Sequence, residues 1–557
     1  MSDLQVVLGE MQPWTDSTDH RPALAALLAD ALPSDRRTLI VGPHSRPLIS
    51  AVLDRAADTT VLVRSVADAE GLAAEFGERL QVVAGALDGL QAEPFQVVVA
   101  ADGLDRVLGY DSADLSWTER LQALAKLAAP DAVVVLALEN EFSLLNLLDS
   151  RPADQRHGDD EWRPLHDDPT RPVSVDQLAS ALPWTAQLYA DFGSRTFVAA
   201  DVAAAARPGE LPTRLAVDAL EAADVPVLSP IADGVDSAAR AGLLSAIPTG
   251  WIAICGMHAE HDLYARTGPS VLTADKTPTG WQTSIAGGGS PVDGLRFDPA
   301  VVPSTVPDGT SVESVLIRLA AAEDVPAFRK LAACLGEWAA GSPVVLRWDD
   351  VVVDGETFAH GVSPWVTEEP TDSADLLAAA WYRFHERLIG QHRRHPWPPW
   401  MVGDDLVSTW MSMSGVELPE PVQATSPDTP PASAGHVARG KELAAALAGV
   451  LETRAHAAAD VRTALADAER ARQELFELRG HVFGLERTLG FRNKAMKTRE
   501  NRIRELRTQL QKVTADNNRI RGSRTYALSR VVFHAAQIRK PRVVARKVAR
   551  RVRKRWP

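Results

Sequence analysis

Two cysteines in 557 residues, Cys255 and Cys334, are too few for a disulfide framework or a cysteine-built zinc site. That scarcity suits a reducing compartment. No run of about 18 apolar residues occurs, so no membrane-spanning helix is expected. The first residues are polar and acidic, without the apolar stretch of a signal peptide. Acidic residues disappear after Asp516: residues 517–557 hold 14 Lys or Arg and no Asp or Glu. The whole chain is formally −14, so the part before this tail carries about −28, and charge is sharply segregated.

What is present is a heptad repeat upstream of that tail. Leu447, Val461, Leu475, Val482, Leu489, Met496, Ile503, Leu510 and Asn517 fall on one position set, and Leu443, Val450, Leu478, Leu485, Leu506, Val513 and Ile520 on the other. A sustained 3-then-4 spacing puts an apolar seam along a long helix, and such a seam needs a partner helix. Self-association through a coiled coil is therefore expected, with Arg492 and Arg499 interrupting the seam and Asn517 favouring one register. A long solvated helix folded back on the globular part is the competing reading. In the tail, Val544, Val548, Val552 and Trp556 recur every four residues, and Arg546, Lys547, Arg550, Arg551, Arg553, Lys554 and Arg555 fill the other faces. This distribution suits an anionic membrane surface. Nucleic acid is the competing polyanion, disfavoured because no nucleic-acid module accompanies the cations.

Residues 36–201 alternate between strands and helices. Strands are expected at 38–42, 60–64, 81–84, 95–100 and 132–138, with helices at 48–56, 68–80 and 115–127 between them and a closing pair of strands at 184–192 and 194–200. Near-continuous apolar strands separated by helices indicate a parallel sheet covered on both faces. This order, with the passages Leu39-Ile40-Val41-Gly42, Phe95 to Ala100 and Leu127 to Val135, resembles the class I S-adenosylmethionine-dependent methyltransferases.

The resemblance implies a cofactor loop after the first strand and a ribose-binding carboxylate after the second. Gly42 takes the first glycine position of the loop, while His44 and Arg46 stand where further glycines are expected, and Ile40 stands in place of an acidic residue. At the end of the second strand, Arg64 and Ser65 replace the usual Asp or Glu. The implied cofactor-binding positions are Gly42, His44, Ser65, Asp88 and Ala101, with S-adenosylmethionine as the cofactor. Candidate catalytic residues at the carboxyl ends of the strands, where open α/β sheets bind ligands, are Asp102, Glu139 and Asn140, with Asp105 beside them. Each also reads as a loop carboxylate or a cap. The polar segment from Arg156 to Asp168 is a candidate acceptor lid.

Residues 207–415 open with Ala- and Leu-rich helices, become β-like from Trp251 to Pro307, and turn helical again. A faint similarity to small kinase-like phosphotransferases rests on Asp349 to Phe358, but Ser363-Pro364-Trp365 stands where a metal-binding Asp-Phe-Gly belongs. Ala286 to Ser290 lacks the Lys and helix of a phosphate loop, and His258, Glu260 and His261 lack a metal-ligand spacing. Residues 416–438 read as a Pro- and Ser-rich linker.

The expected architecture is thus an α/β Rossmann-like methyltransferase domain (1–205), a mixed α+β domain, degenerate kinase-like in outline (206–415), a linker (416–438), a long C-terminal coiled coil (439–522) and a basic amphipathic tail (523–557). This order resembles that of bacterial O-antigen chain-terminating methyltransferase–kinases. The resemblance implies methyl transfer to a cell-envelope saccharide or lipid-linked precursor at the cytoplasmic membrane face, with glycosyltransferases as candidate partners. The alternative is a membrane-associated coiled-coil scaffold without enzymatic activity.

Overall fold

Short apolar runs build the centre of the fold. The computed structural model describes residues 4–8, 18, 21–109, 112–151, 168–223, 225–288, 291, 294–342, 344–355, 357–362, 365–401, 403–416, 439–448 and 496–538. The chain divides into two units, Met1–Ala464 and Leu465–Pro557.

In the first unit, β1 (Gln5–Val6) and α1 (Pro22–Ala31) precede a doubly wound series. It consists of β2 (Arg37–Val41), α2 (Arg46–Leu53), β3 (Asp58–Val63), α3 (Val66–Phe76), β4 (Gln81–Ala84), β5 (Phe95–Ala100), α4 (Trp117–Leu127) and β6 (Ala128–Glu139). Strands β4-β3-β2-β5-β6 lie side by side and parallel. Alternate residues of each strand enter cores on opposite faces: Leu39, Val98 and Val134 on one, Ile40, Val99 and Val135 on the other. Burial on both faces is why these strands read as unbroken apolar runs.

The closing strands differ from expectation. After α5 (Leu144–Leu148) and α6 (Val175–Ala181), the hairpin β7 (Ala186–Phe192) and β8 (Thr196–Ala199) does form. Next come α7 (Ala200–Ala205), α8 (Leu211–Glu221), α9 (Ile231–Arg240) and β9 (Gly250–Cys255). β9 runs antiparallel between β6 and β7. The sheet then continues through β10 (Leu263–Thr267), β11 (Ser270–Thr277) and β12 (Gly280–Ala286) and, past β13 (Leu295–Phe297), ends on β14 (Thr305–Pro307). The sheet therefore crosses the boundary expected at residue 205. All six β9 residues are buried, which explains their place in the interior of the sheet.

A second core follows. It contains β15 (Thr310–Ser311), α10 (Val312–Ala321), α11 (Val325–Ala339), the hairpin β16 (Val352–Asp354) and β17 (Thr357–Ala359), β18 (Trp365–Thr367), α12 (Ser373–Gly390) and α13 (Asp404–Met413). Phe328, Trp348, Trp381, Phe384, Trp397 and Trp410 pack edge-on or tilted in its interior. Residues 344–348 form one isolated bridge, Val345 to Trp365, where the sequence suggests a strand.

Residues 439–448 are helical, but Leu443 (4% exposed) and Leu447 (1% exposed) are buried in this second core. Gly440 lies against Ala378 of α12, closer than a Cβ permits. The first two seam positions thus pack on the globular unit, which displaces the expected start of the coiled coil at residue 439.

In the second unit, residues 496–522 are helical and α14 (Arg524–Ile538) follows. The seam residues Met496, Ile503, Leu506, Leu510, Val513 and Ile520 are all exposed. The remaining heptads, the 417–438 linker and the membrane-binding candidates from Arg546 to Trp556 lie outside the described residues. No helix among the described residues is long and apolar enough to cross a membrane.

Candidate functional site

Strands β2, β3, β5 and β6 end on one edge of the sheet, where the candidate site lies. Gly42 turns the chain there with φ +86°, a left-handed conformation that glycine adopts without steric cost. Its amide donates to the Leu62 carbonyl at 2.9 Å. The Ala101 amide donates to His44 Nε2 at 3.1 Å, so the imidazole proton sits on Nδ1, which lies 3.0 Å from the Gly42 carbonyl and donates to it. Burial lowers the His44 pKa to about 4, and the nearby charges of Arg21 and Arg106 push the same way, against the bond to Gly42. The ring is neutral at pH 7 and ties the β2 turn to the end of β5.

Asp102, at the mouth of β5, is 6% exposed and bonds Arg106 at 2.6 Å and Arg21 at 3.5 Å. Arg21 also donates to the Ala101 carbonyl at 3.2 Å. At the end of β3, Arg64 is buried and donates to the Leu108 carbonyl at 3.4 Å. Ser65 caps α3 by accepting from the Asp68 amide at 3.2 Å. Asp88 accepts from the Ser112 hydroxyl at 2.8 Å and the Ala113 amide at 3.2 Å. Leu108, Ser112 and Ala113 thus contribute partners to the ends of both β3 and β4. Val107, just before them, is buried, and its carbonyl accepts from Leu87 at 2.8 Å.

Glu139 is exposed at the end of β6, and its carbonyl accepts from Arg171 at 3.0 Å. Asn140 does not face this site as a catalytic group. Its side-chain amide donates to the carbonyls of Ala246 (2.9 Å) and Pro248 (2.8 Å), and its oxygen accepts from Phe142 at 3.0 Å. These bonds hold the lead-in to β9 beside the end of β6. Asp105 meets Arg120 at 3.1 Å and Arg171 at 3.2 Å. Asp168, the end of the proposed lid, accepts from the Trp117 amide at 2.6 Å and lies 3.7 Å from Arg120. The rest of that lid, 156–167, is outside the described residues.

Sequence reasoning missed Arg21, Arg120 and Arg171. Arg120 carried a signal, because it sits on the apolar face of α4 with Trp117, Leu121, Leu124 and Leu127. A buried guanidinium there requires carboxylate partners.

Downstream, Asp349 of the kinase-like passage is held by Arg347 at 2.6 Å and Arg383 at 3.2 Å. His261 Nδ1 pairs with Asp275 at 2.9 Å, and no cluster among the described residues suits a metal ion. Burial pushes the Cys255 thiol up to about 12.

At the strand edge, the Gly42 turn fits a cofactor that approaches the backbone closely. At β3 the side chain does not fit, since Arg64 offers donors where ribose hydroxyls need a carboxylate acceptor.

No protein family matches the chain by sequence, and no curated relative does either. Among solved structures, the chain is similar to 1,6-didemethyltoxoflavin-N1-methyltransferase of Burkholderia thailandensis with bound S-adenosylhomocysteine, at 23% identity over 22% of this chain and 52% of that one, with a TM-score of 0.18. It is also similar to the S-adenosylmethionine-bound amino pentose methyltransferase CalS10 of Micromonospora echinaspora, at 20% identity over 21% and 48%, TM-score 0.18. The cyclase SpnF matches at 16% identity over 42% of this chain and 78% of its own, TM-score 0.24. The chain spans about half the length of the first two. S-adenosylmethionine and S-adenosylhomocysteine are the ligands named with these methyltransferase structures.

Proposed function

We propose that the protein carries out S-adenosylmethionine-dependent methyl transfer at the carboxyl edge of its parallel strands. The observation behind this reading is the strand order: six parallel strands, β1-β4-β3-β2-β5-β6, closed by a reversed strand, with the left-handed Gly42 turn at the end of β2. The Gly42 turn and Ala101 would meet the cofactor on its β2 and β5 side, and Asp88 on the β4 side. Asp102 and Glu139, at the carboxyl ends of β5 and β6, are the carboxylates for a proton from the acceptor. The acceptor is a cell-envelope saccharide or lipid-linked precursor at the inner membrane face. The cation-rich segment ending in Trp556 and the exposed heptad seam support a membrane-held oligomer.

A second reading, the non-enzymatic scaffold, is favoured by one set of contacts. His44, Arg64 and Asp88 all spend hydrogen bonds on the chain itself.

Calorimetric titration of the full-length protein with S-adenosylmethionine and S-adenosylhomocysteine separates the two. Micromolar binding, lost in Gly42→Val, supports methyl transfer. No heat at millimolar cofactor would sink it and leave the scaffold.

A further inference from the structure

Residues 496–522 form one helix with a single apolar stripe. Met496, Ile503 and Leu510, with the polar Asn517, take the first place of each heptad, a. Leu506, Val513 and Ile520, with Arg499, take the fourth, d. The six apolar side chains are between 49% and 66% exposed. Ala515 is the only other apolar side chain in the stretch. A stripe this narrow, bordered by polar residues on both sides, is covered by one further helix, whereas packing into a larger bundle needs a wider apolar face. Ile503 at a with Leu506 at d is also the two-stranded combination.

The polar positions of the seam select its occupant. Asn517 needs a hydrogen-bond partner once the seam is closed. In a parallel pair without stagger it meets Asn517 of the second copy, and each amide can donate to the other. In an antiparallel pair, a positions face d positions. Asn517 then lies opposite an apolar residue unless it meets Arg492 or Arg499. Against Arg492, the register sets Leu510 opposite Arg499. Against Arg499, it sets Arg507 beside Arg507 of the second copy and leaves the heptads before residue 494 without a counterpart. Charge favours the parallel pair. There Asp516 faces Arg521 of the second copy, and Arg499 borders the second copy's Glu500. None of these four makes an ion pair within its own chain among the described residues. One contact brings like charges together, Arg502 with Arg507, and there Arg502 is already held by Glu505 of its own helix at 2.7 Å.

We propose that residues 496–522 pair with the same residues of a second copy as a parallel, in-register, two-stranded coiled coil. The pairing rests on the heptad oligomer of the preceding reading and gives it a strand number and a direction. It requires neither S-adenosylmethionine nor a membrane. With both chains running one way, the two copies of α14 begin at the same end of the pair. Each chain carries 14 Lys or Arg after Asp516, so an anionic surface meets two sets of cations in one binding event.

The test uses the full-length protein with Cys334→Ser, which leaves the buried Cys255 as its one native thiol. Leu506→Cys and Val513→Cys, each at a d position, are expected to give disulfide-linked dimers on mild oxidation, because matching d positions come within disulfide reach in a parallel, unstaggered pair. They should link at least about tenfold faster than Thr508→Cys on the outer face of the helix. Before oxidation, sedimentation equilibrium should give twice the 60.1 kDa of one chain. A linked dimer that forms only when Leu506→Cys and Leu510→Cys are mixed would show antiparallel strands and overturn the pairing while keeping the oligomer. A mass of three or four chains would do the same. A single-chain mass would overturn the pairing and the oligomer together.

Discussion

The amide of Ala101 donates to Nε2 of His44 across the mouth of two parallel strands, at 3.1 Å. The bond requires a neutral ring with its proton on Nδ1, and burial holds the pKa down to about 4. The sign of the pH effect follows. The folded pKa lies below the ordinary value of 6.5, so the unfolded chain takes up a proton first as pH falls. His44 therefore contributes stability that is complete above about pH 6.5 and is lost down to about pH 4, at most about 3 kcal/mol. Thermal melts of the wild type and His44→Gln between pH 7 and pH 4 measure it. The variant should be less stable at pH 7 and lose less on acidification. Parallel slopes would show that the ring is not held neutral.

Asn140 separates a structural role from a catalytic one. It gives both amide hydrogens to the carbonyls of Ala246 and Pro248. Asn140→Ala should cost about 1–3 kcal/mol by leaving those bonds unmade. Asn140→Asp should cost more, because a carboxylate would face two carbonyl oxygens without donors. A catalytic role for Asn140 would give the reverse pattern, with stability kept and activity lost. Urea melts of the three proteins decide between them.

Much of the sheet was legible because β2, β3, β5 and β6 are buried on both faces and so appear as apolar runs with turns between them. The placement of β9 was not. Trp251 to Cys255 reads as a buried strand, yet nothing local says that its neighbours are Val134 to Glu139 and Ala186 to Asp191, more than fifty residues upstream. The same limit hid the site's arginines, whose partners are fixed only by tertiary structure. The departures at His44 and Arg64 were visible as wrong residue types in a family pattern, but their hydrogen-bond partners, Ala101 and Leu108, were not. Of the heptad pattern, the described stretches 439–448 and 496–522 are helical, and the first of them packs on the globular core. A 3-then-4 apolar stripe serves equally for a partner helix and for a globular core.

That ambiguity gives a prediction with opposite outcomes at two seam positions. Leu447 is 1% exposed in the second core, whereas Leu510 is 66% exposed in the second unit. Leu447→Asp should destabilise the globular unit by about 3 kcal/mol or more, through an unpaired buried charge and lost packing. Gly440→Val should act in the same direction, because a side chain there meets Ala378. Leu510→Asp should leave the main thermal transition in place and weaken self-association, since a charge in a paired seam is unfavourable. Differential scanning calorimetry and sedimentation equilibrium on the same three variants check both halves. An unchanged transition in Leu447→Asp would contradict its burial, and unchanged association in Leu510→Asp would remove the heptads from the oligomer.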